Sequence, residues 1–180
     1  MNVRLCSAVC FSLLSACATP PSPPAGPVPF LTVQGYGGRN DLLPDRTGTI
    51  FGRYSAPVSI GTSTIYLPLD PVVQCDAAHT QCQHGIIKMV VVYTVRAADG
   101  GGVKLAGEAR FHLAGEHNLD NNLGHLHQAV PTGVPRLPEQ RETRAFDSIL
   151  HLGEKLSIPG PAGSSVVVRI EPGEQATAQP

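Results

Sequence analysis

The segment "GIIKMVVVYTVRAADGGGVKLAGEARFHLAG", residues 85–115, restricts the possible fold more than any other part of the chain. Apolar residues recur at every second position on both sides of a glycine-rich turn, which is the period of a half-buried β-strand. Ile87, Met89, Val91, Tyr93 and Val95 share one face of the first strand, and Val103, Leu105, Ala109, Phe111 and Leu113 share one face of the second. Between them "ADGGG" supplies Asp-Gly and further glycines, which adopt positive φ at little steric cost and so close a hairpin. A register opposing Val95 to Leu105, Val91 to Ala109, Met89 to Phe111 and Ile87 to Leu113 buries both faces together. It also sets Tyr93 against Gly107, where the missing side chain leaves room for the ring. A slip of one residue would turn a whole apolar face to water. Lys88, Glu108, Arg110 and His112 fall on the other face together with Val90 and Val92, so that face is expected to be only partly solvated, or covered by another sheet edge or a partner.

Short β segments separated by turns occupy the rest of the region from Phe30 onward. "FLTVQGY", "TGTIFGRYSA", "VSIGTSTIYLPL" and "SSVVVRIEPG" are rich in β-branched and aromatic residues, and "GYGGRNDLLPDRTG" reads as a loop. "ETRAFDSILHLGEKLSI" places Phe146, Leu150 and Leu152 on one face, with a turn near Gly153. Gly115 to Pro138 is polar, lacks a sustained period and reads as one long loop, of the kind that is functional or mobile. No segment carries a helical stripe. The expectation is an all-β fold, a single antiparallel β-sandwich or small barrel of about seven strands. It spans residues 30–173 and is followed by a disordered tail at 174–180.

The amino terminus is of a different kind. Arg4 precedes an apolar run from Leu5 to Leu14 that is broken only by Ser7 and Ser12. A membrane-spanning helix needs about 20 apolar residues, and this run is about half that, as in the core of a secretory signal. Leu14-Ser15-Ala16-Cys17 resembles the lipobox of bacterial lipoproteins, a leucine and two small residues before the cysteine to be modified. The resemblance covers these first residues alone. It implies a signal peptide over 1–16, cleavage before Cys17, lipidation of the Cys17 thiol and acylation of the new amino terminus. Because Ala18, not aspartate, follows the cysteine, the resemblance further implies an outer-membrane destination facing the periplasm. Two or more acyl chains hold a protein to a bilayer without any spanning helix. Half of "ATPPSPPAGPVP", Ala18 to Pro29, is proline. Such a spacer favours polyproline II and reaches roughly 35 to 40 Å at about 3.1 Å per residue.

With the signal removed, the cysteines are Cys17, Cys75 and Cys82. Once Cys17 is assigned to lipid, "CDAAHTQC" holds an even pair in an oxidising compartment and reads as a Cys75–Cys82 disulfide. The rival is a zinc or copper site in which Cys75, His79, Cys82 and His84 supply thiolates and imidazoles. A second metal candidate lies in the long segment, where His117, His125 and His127 sit near Glu116 and Asp120.

The formal net charge is −1 and the cations are scattered, which argues against nucleic acid as a partner. Tryptophan is absent, which weakens any reading that needs aromatic stacking platforms. No nucleophile elbow, zinc-protease helix, phosphate-binding loop or calcium loop is present in the sequence. The expectation is therefore a non-catalytic lipoprotein, needing no cofactor and binding or stabilising an envelope protein partner of a secretion or pilus type. Its alternatives are a zinc- or copper-binding protein or enzyme using the histidine-bearing segment, and a surface-exposed antigen or adhesion module.

Overall fold

The computed structural model describes residues 28–121 and 124–173, and within them the central hairpin takes the register that its alternation predicts. Its strands are β5 (Cys82–Ala97) and β6 (Val103–Ala114), with Val95 opposite Leu105, Val91 opposite Ala109, Met89 opposite Phe111 and Ile87 opposite Leu113. Gly100 and Gly101 in the turn take φ of 73° and 78°. Gly107 lies opposite Tyr93 as expected, but for another reason. A Cβ there would lie 2.1 Å from the Val92 carbonyl oxygen and 2.8 Å from Tyr93 Cα. Close approach of two backbones, not the ring, requires the glycine. The expected signal peptide, Cys17, the expected spacer up to residue 27 and the expected tail at 174–180 lie outside the described residues.

Around this hairpin stand β1 (Phe30–Tyr36), β2 (Ile50–Pro57), β3 (Gly61–Tyr66), β4 (Asp70–Cys75) and β7 (Glu116–Asn121). Further along the chain come β8 (Gly124–Ala129), β9 (Gln140–Leu150), β10 (Lys155–Pro159) and β11 (Ser165–Glu171). One sheet runs β10-β11-β1-β2, and a second runs β3-β5-β6-β9 with β4 also on the edge of β5. Every strand pairing in both is antiparallel. The sheets pack face to face as an all-β sandwich. Leu31, Val33, Ile158, Val166, Val168 and Ile170 of one sheet meet Ile87, Met89, Val91, Leu105, Phe111 and Leu113 of the other. Each such side chain stabilises the fold by about 1.5 to 3 kcal/mol relative to exposure.

Among the described residues there are eleven strands where about seven were expected. β4, β7 and β8 are additional, and the segment with the turn near Gly153 divides into β9 and β10, one in each sheet. Pro68 and Pro71 hide β4 in the sequence. β7 and β8 pair only with each other in a short ribbon, so neither carries the apolar alternation of a strand between two sheets. Leu152 is the other difference. It does not share the inward face of Leu150 but lies in the turn after β9, 60 % exposed.

The edge beside β5 has a single irregularity that matters. Tyr66 pairs with Val90 and Asp70 with Ile87, so three residues, Leu67 to Leu69, oppose two, Lys88 and Met89. The Leu67 N–H still donates to the Met89 carbonyl at 3.1 Å, and Pro68, with no N–H, occupies the bulge. An extra residue reverses the parity of the strand. Leu67 therefore enters the main core, Leu69 emerges on the opposite sheet face, and Asp70 is delivered to the interior.

The two faces of the large sheet should respond differently to the same charge. Val91→Asp places a carboxylate at a fully buried position and is expected to cost about 3 kcal/mol or more. Thr64→Asp, on the outer face of the adjacent strand, should cost no more than about 1 kcal/mol. Thermal melts of the two variants against wild type measure the difference, and equal losses would contradict the assigned faces.

Candidate functional site

The polar segment after β6 folds as a flap over the outer face of the large sheet. Leu119 of β7 is 1 % exposed and, with Val130, packs on Ile86 and Leu69 in a second apolar cluster outside the main core. His117 is next to it in the same face of the ribbon. It is 5 % exposed, its Nε2–H donates to the Ile86 carbonyl at 3.0 Å, and its ring meets His112 edge-on at 4.7 Å. Lys88 Nζ donates to the Asn118 carbonyl at 3.0 Å, a second tie from sheet to flap. Burial, with the neighbouring His112 and Lys88 charges, holds the His117 imidazole below its ordinary pKa despite the carbonyl contact.

The other face of the ribbon is exposed and carries imidazole–carboxylate pairs. His127 bonds Glu116 at 2.8 Å, and His125 bonds Asp120. The His127 hydrogen bond holds the Glu116 carboxyl below the usual range. The structure thus brings His125 and His127 to one side and turns His117 to the other, so the three imidazoles do not converge. Among the described residues, no group of three or more His, Cys, Asp or Glu side chains is arranged to hold a metal ion.

Cys75 and Cys82 are joined as a disulfide across directly opposed positions of β4 and β5. The sulfurs are consumed by that bond. His79 stands in the intervening turn at φ 53°, and His84 leaves the turn within β5, where its backbone bonds Pro135 and Leu137. Asp76 organises the turn by accepting from the Thr80 hydroxyl at 2.7 Å and the Thr80 N–H at 2.8 Å, contacts that lower its pKa.

Beyond the flap, the outer face of the large sheet divides into two stripes. β6 and β9 carry ion pairs, Arg110 with Glu108, Lys104 with Asp147 at 3.3 Å, and Arg141 with Glu139, the residue before β9, at 2.8 Å; Glu139 also hydrogen-bonds His112 at 2.8 Å. Between Lys88 and Arg96 on β5, that strand and β3 carry Thr62, Thr64, Tyr66, Val90, Val92 and Thr94, with no charge among them. Tyr66 is 44 % exposed there, and Val90 and Val92 are half-buried. The alternation of β5 already placed two valines outward. The neutral neighbours from β3 become visible only once that strand is paired.

Asp70 was not evident as a special residue in the sequence. Delivered inward by the bulge, it is 3 % exposed, accepts the Gly38 N–H at 3.0 Å and lies 3.8 Å from Arg46. Burial raises its pKa. Asn40 accepts the Leu43 N–H at 3.0 Å and its own N–H donates to Thr47 at 3.0 Å, which folds the loop between β1 and β2 on itself, and the Asp41 N–H donates to the Val73 carbonyl at 3.0 Å, which pins it over β4. These contacts have the character of a structural brace. Set against family models, curated proteins and solved structures, the chain matches none of them.

The flap should loosen in acid. His117 has a folded pKa below the ordinary value of about 6.5, so its contribution is present above that pH and is lost as pH falls through the folded value. Hydrogen exchange, corrected for intrinsic rates, should show β7 and β8 amides losing protection as the pH is lowered from about 6.5 while Met89 and Val91 stay protected. His117→Gln should flatten that pH dependence. Flap protection unchanged as the pH falls would contradict the assignment.

Proposed function

We propose that the protein is a non-catalytic lipoprotein of the bacterial envelope, anchored to the outer membrane through Cys17, that binds or stabilises another envelope protein. The observation that carries this reading is the separation of the two ends of the sandwich. Val28 and Pro29, the last residues of the spacer, enter at the end where β1 begins and β2 and β11 finish. The loop between β1 and β2 and the disulfide turn lie at the opposite end. A tether at Cys17 would hold the first end toward lipid and offer the rest of the domain to the periplasm. The neutral stripe of β3 and β5 is the surface on which a partner protein would rest, since its valines and tyrosine lose little on desolvation. The disulfide suits an oxidising compartment.

Cys17→Ser should remain uncleaved at this site, carry no acyl mass and leave the lipid-anchored membrane fraction. Mass analysis and fractionation read this directly. An acylated, membrane-bound Cys17→Ser protein would sink the anchor assignment. For the binding role, detergent-solubilised wild type should co-purify with a stoichiometric protein partner, and Tyr66→Asp should lose that partner while keeping its melting temperature. Stoichiometric zinc or copper in place of a partner would favour the metal-binding alternative.

A further inference from the structure

The end of the sandwich where the spacer enters exposes apolar side chains at its tips, as the opposite end does with Leu42, Leu43 and Ile50, but only here does the chain lead back to Cys17. Ile60, in the turn from β2 to β3, is 76 % exposed, and Leu152, in the turn from β9 to β10, is 60 % exposed. Val28 and Ile149 are each 52 % exposed at the same end. Backbone contacts fix this common placement. The Val58 N–H donates to the Pro29 carbonyl at 2.8 Å, and the Gly153 N–H to the Ile170 carbonyl at 2.7 Å, next to where β11 ends. Beside Leu152 lies an open cleft of about 230 Å³, lined by Pro29, Val103, Leu150, Leu152, Ile170 and Pro172 among others. Single exposed aliphatic residues are ordinary on a protein surface, whereas several gathered on one end beside an apolar cleft mark a contact surface.

We propose that this end is a seat on the lipid bilayer, with Ile60 and Leu152 dipping into the boundary between headgroups and acyl chains and the cleft opening onto lipid. The proposal rests on the reading of Cys17 as the attachment point. The occupant follows from where the chain leads, because the spacer runs from this end back to Cys17 and at full stretch reaches only about 40 Å. These turns are then the part of the domain that meets the membrane first, at the high effective concentration a short tether imposes. Both apolar side chains stand on turns, so they can enter the interface while the turn backbone stays hydrated among the headgroups. Burying one isoleucine or leucine side chain favours the seated state by about tenfold to a hundredfold, enough to turn a loosely tethered domain into an oriented one. Seating would fix the neutral stripe of β3 and β5 at a set height and angle above the membrane.

Because the chain contains no tryptophan, one introduced residue reports its own depth. The chain from Cys17 to Pro180, with its disulfide intact, is coupled through the Cys17 thiol to maleimide-headgroup lipid in vesicles of phosphatidylethanolamine and phosphatidylglycerol. Ile60→Trp should show blue-shifted emission and several-fold stronger quenching by brominated acyl chains than Leu43→Trp, which reports from the opposite end at 53 % exposure. Adding Leu152→Asp to Ile60→Trp should reverse the shift. Absent quenching of Ile60→Trp, or equal quenching at both positions, overturns the seat. The chemical coupling supplies the tether whatever modifies Cys17 in the cell, so a negative result here leaves the lipidation reading to the Cys17→Ser experiment.

Discussion

The backbone approach of β5 and β6 at Gly107 is the contact on which the rest of the sandwich depends. With the Val92 carbonyl oxygen only 2.1 Å from where a Cβ would stand, no other residue leaves the two strands in their ladder. That ladder fixes which side chains point inward, and both neighbours inherit the choice. β9 takes its register from β6, and β3 and β4 take theirs from β5. Along the hairpin, one residue of slippage would send Met89, Val91 and Phe111 to water together, a loss no surface contact could offset.

On that template, the bulge at Leu67 to Leu69 performs the main act of redirection. An uninterrupted strand would point Leu69 into the main core with Ile65 and Leu67. The extra residue sends it to the other face, where it joins Ile86 and gives the flap something apolar to cover. The same change of parity carries Asp70 inward, and its carboxylate then braces the loop after β1 through Gly38. A single extra residue thus connects the second apolar cluster, the flap and the distal loop.

The histidines show how placement decides chemistry. His117, His125 and His127 carry the same imidazole, yet the ribbon places one on a buried carbonyl and two beside exposed carboxylates. The first is kept neutral by burial and becomes part of the packing. The other two share an outer face with Glu116 and Asp120, where each finds its own partner. What distinguishes the outer surface of the sheet is the uncharged stripe of β3 and β5 beside the ion-paired stripe of β6 and β9.

The sequence by itself determined the all-β class, the β5–β6 hairpin with its register, the strands β1 and β11, and the cysteine pair. These rest on local signals: a period of two, glycines in a turn, and two thiols a few residues apart. It could not disclose β4, because Pro68 and Pro71 break the strand signal there and its pairing is settled by the strand beside it. Nor could it disclose β7 and β8, whose few apolar residues are satisfied by a cluster on the far side of a sheet. The parity switch at Pro68 and the burial of Asp70 likewise depend on counting residues against a partner strand. Periodicity records the environment of one strand at a time, whereas a bulge, a flap or a shared surface is a relation between strands, and only the assembled sheets define it.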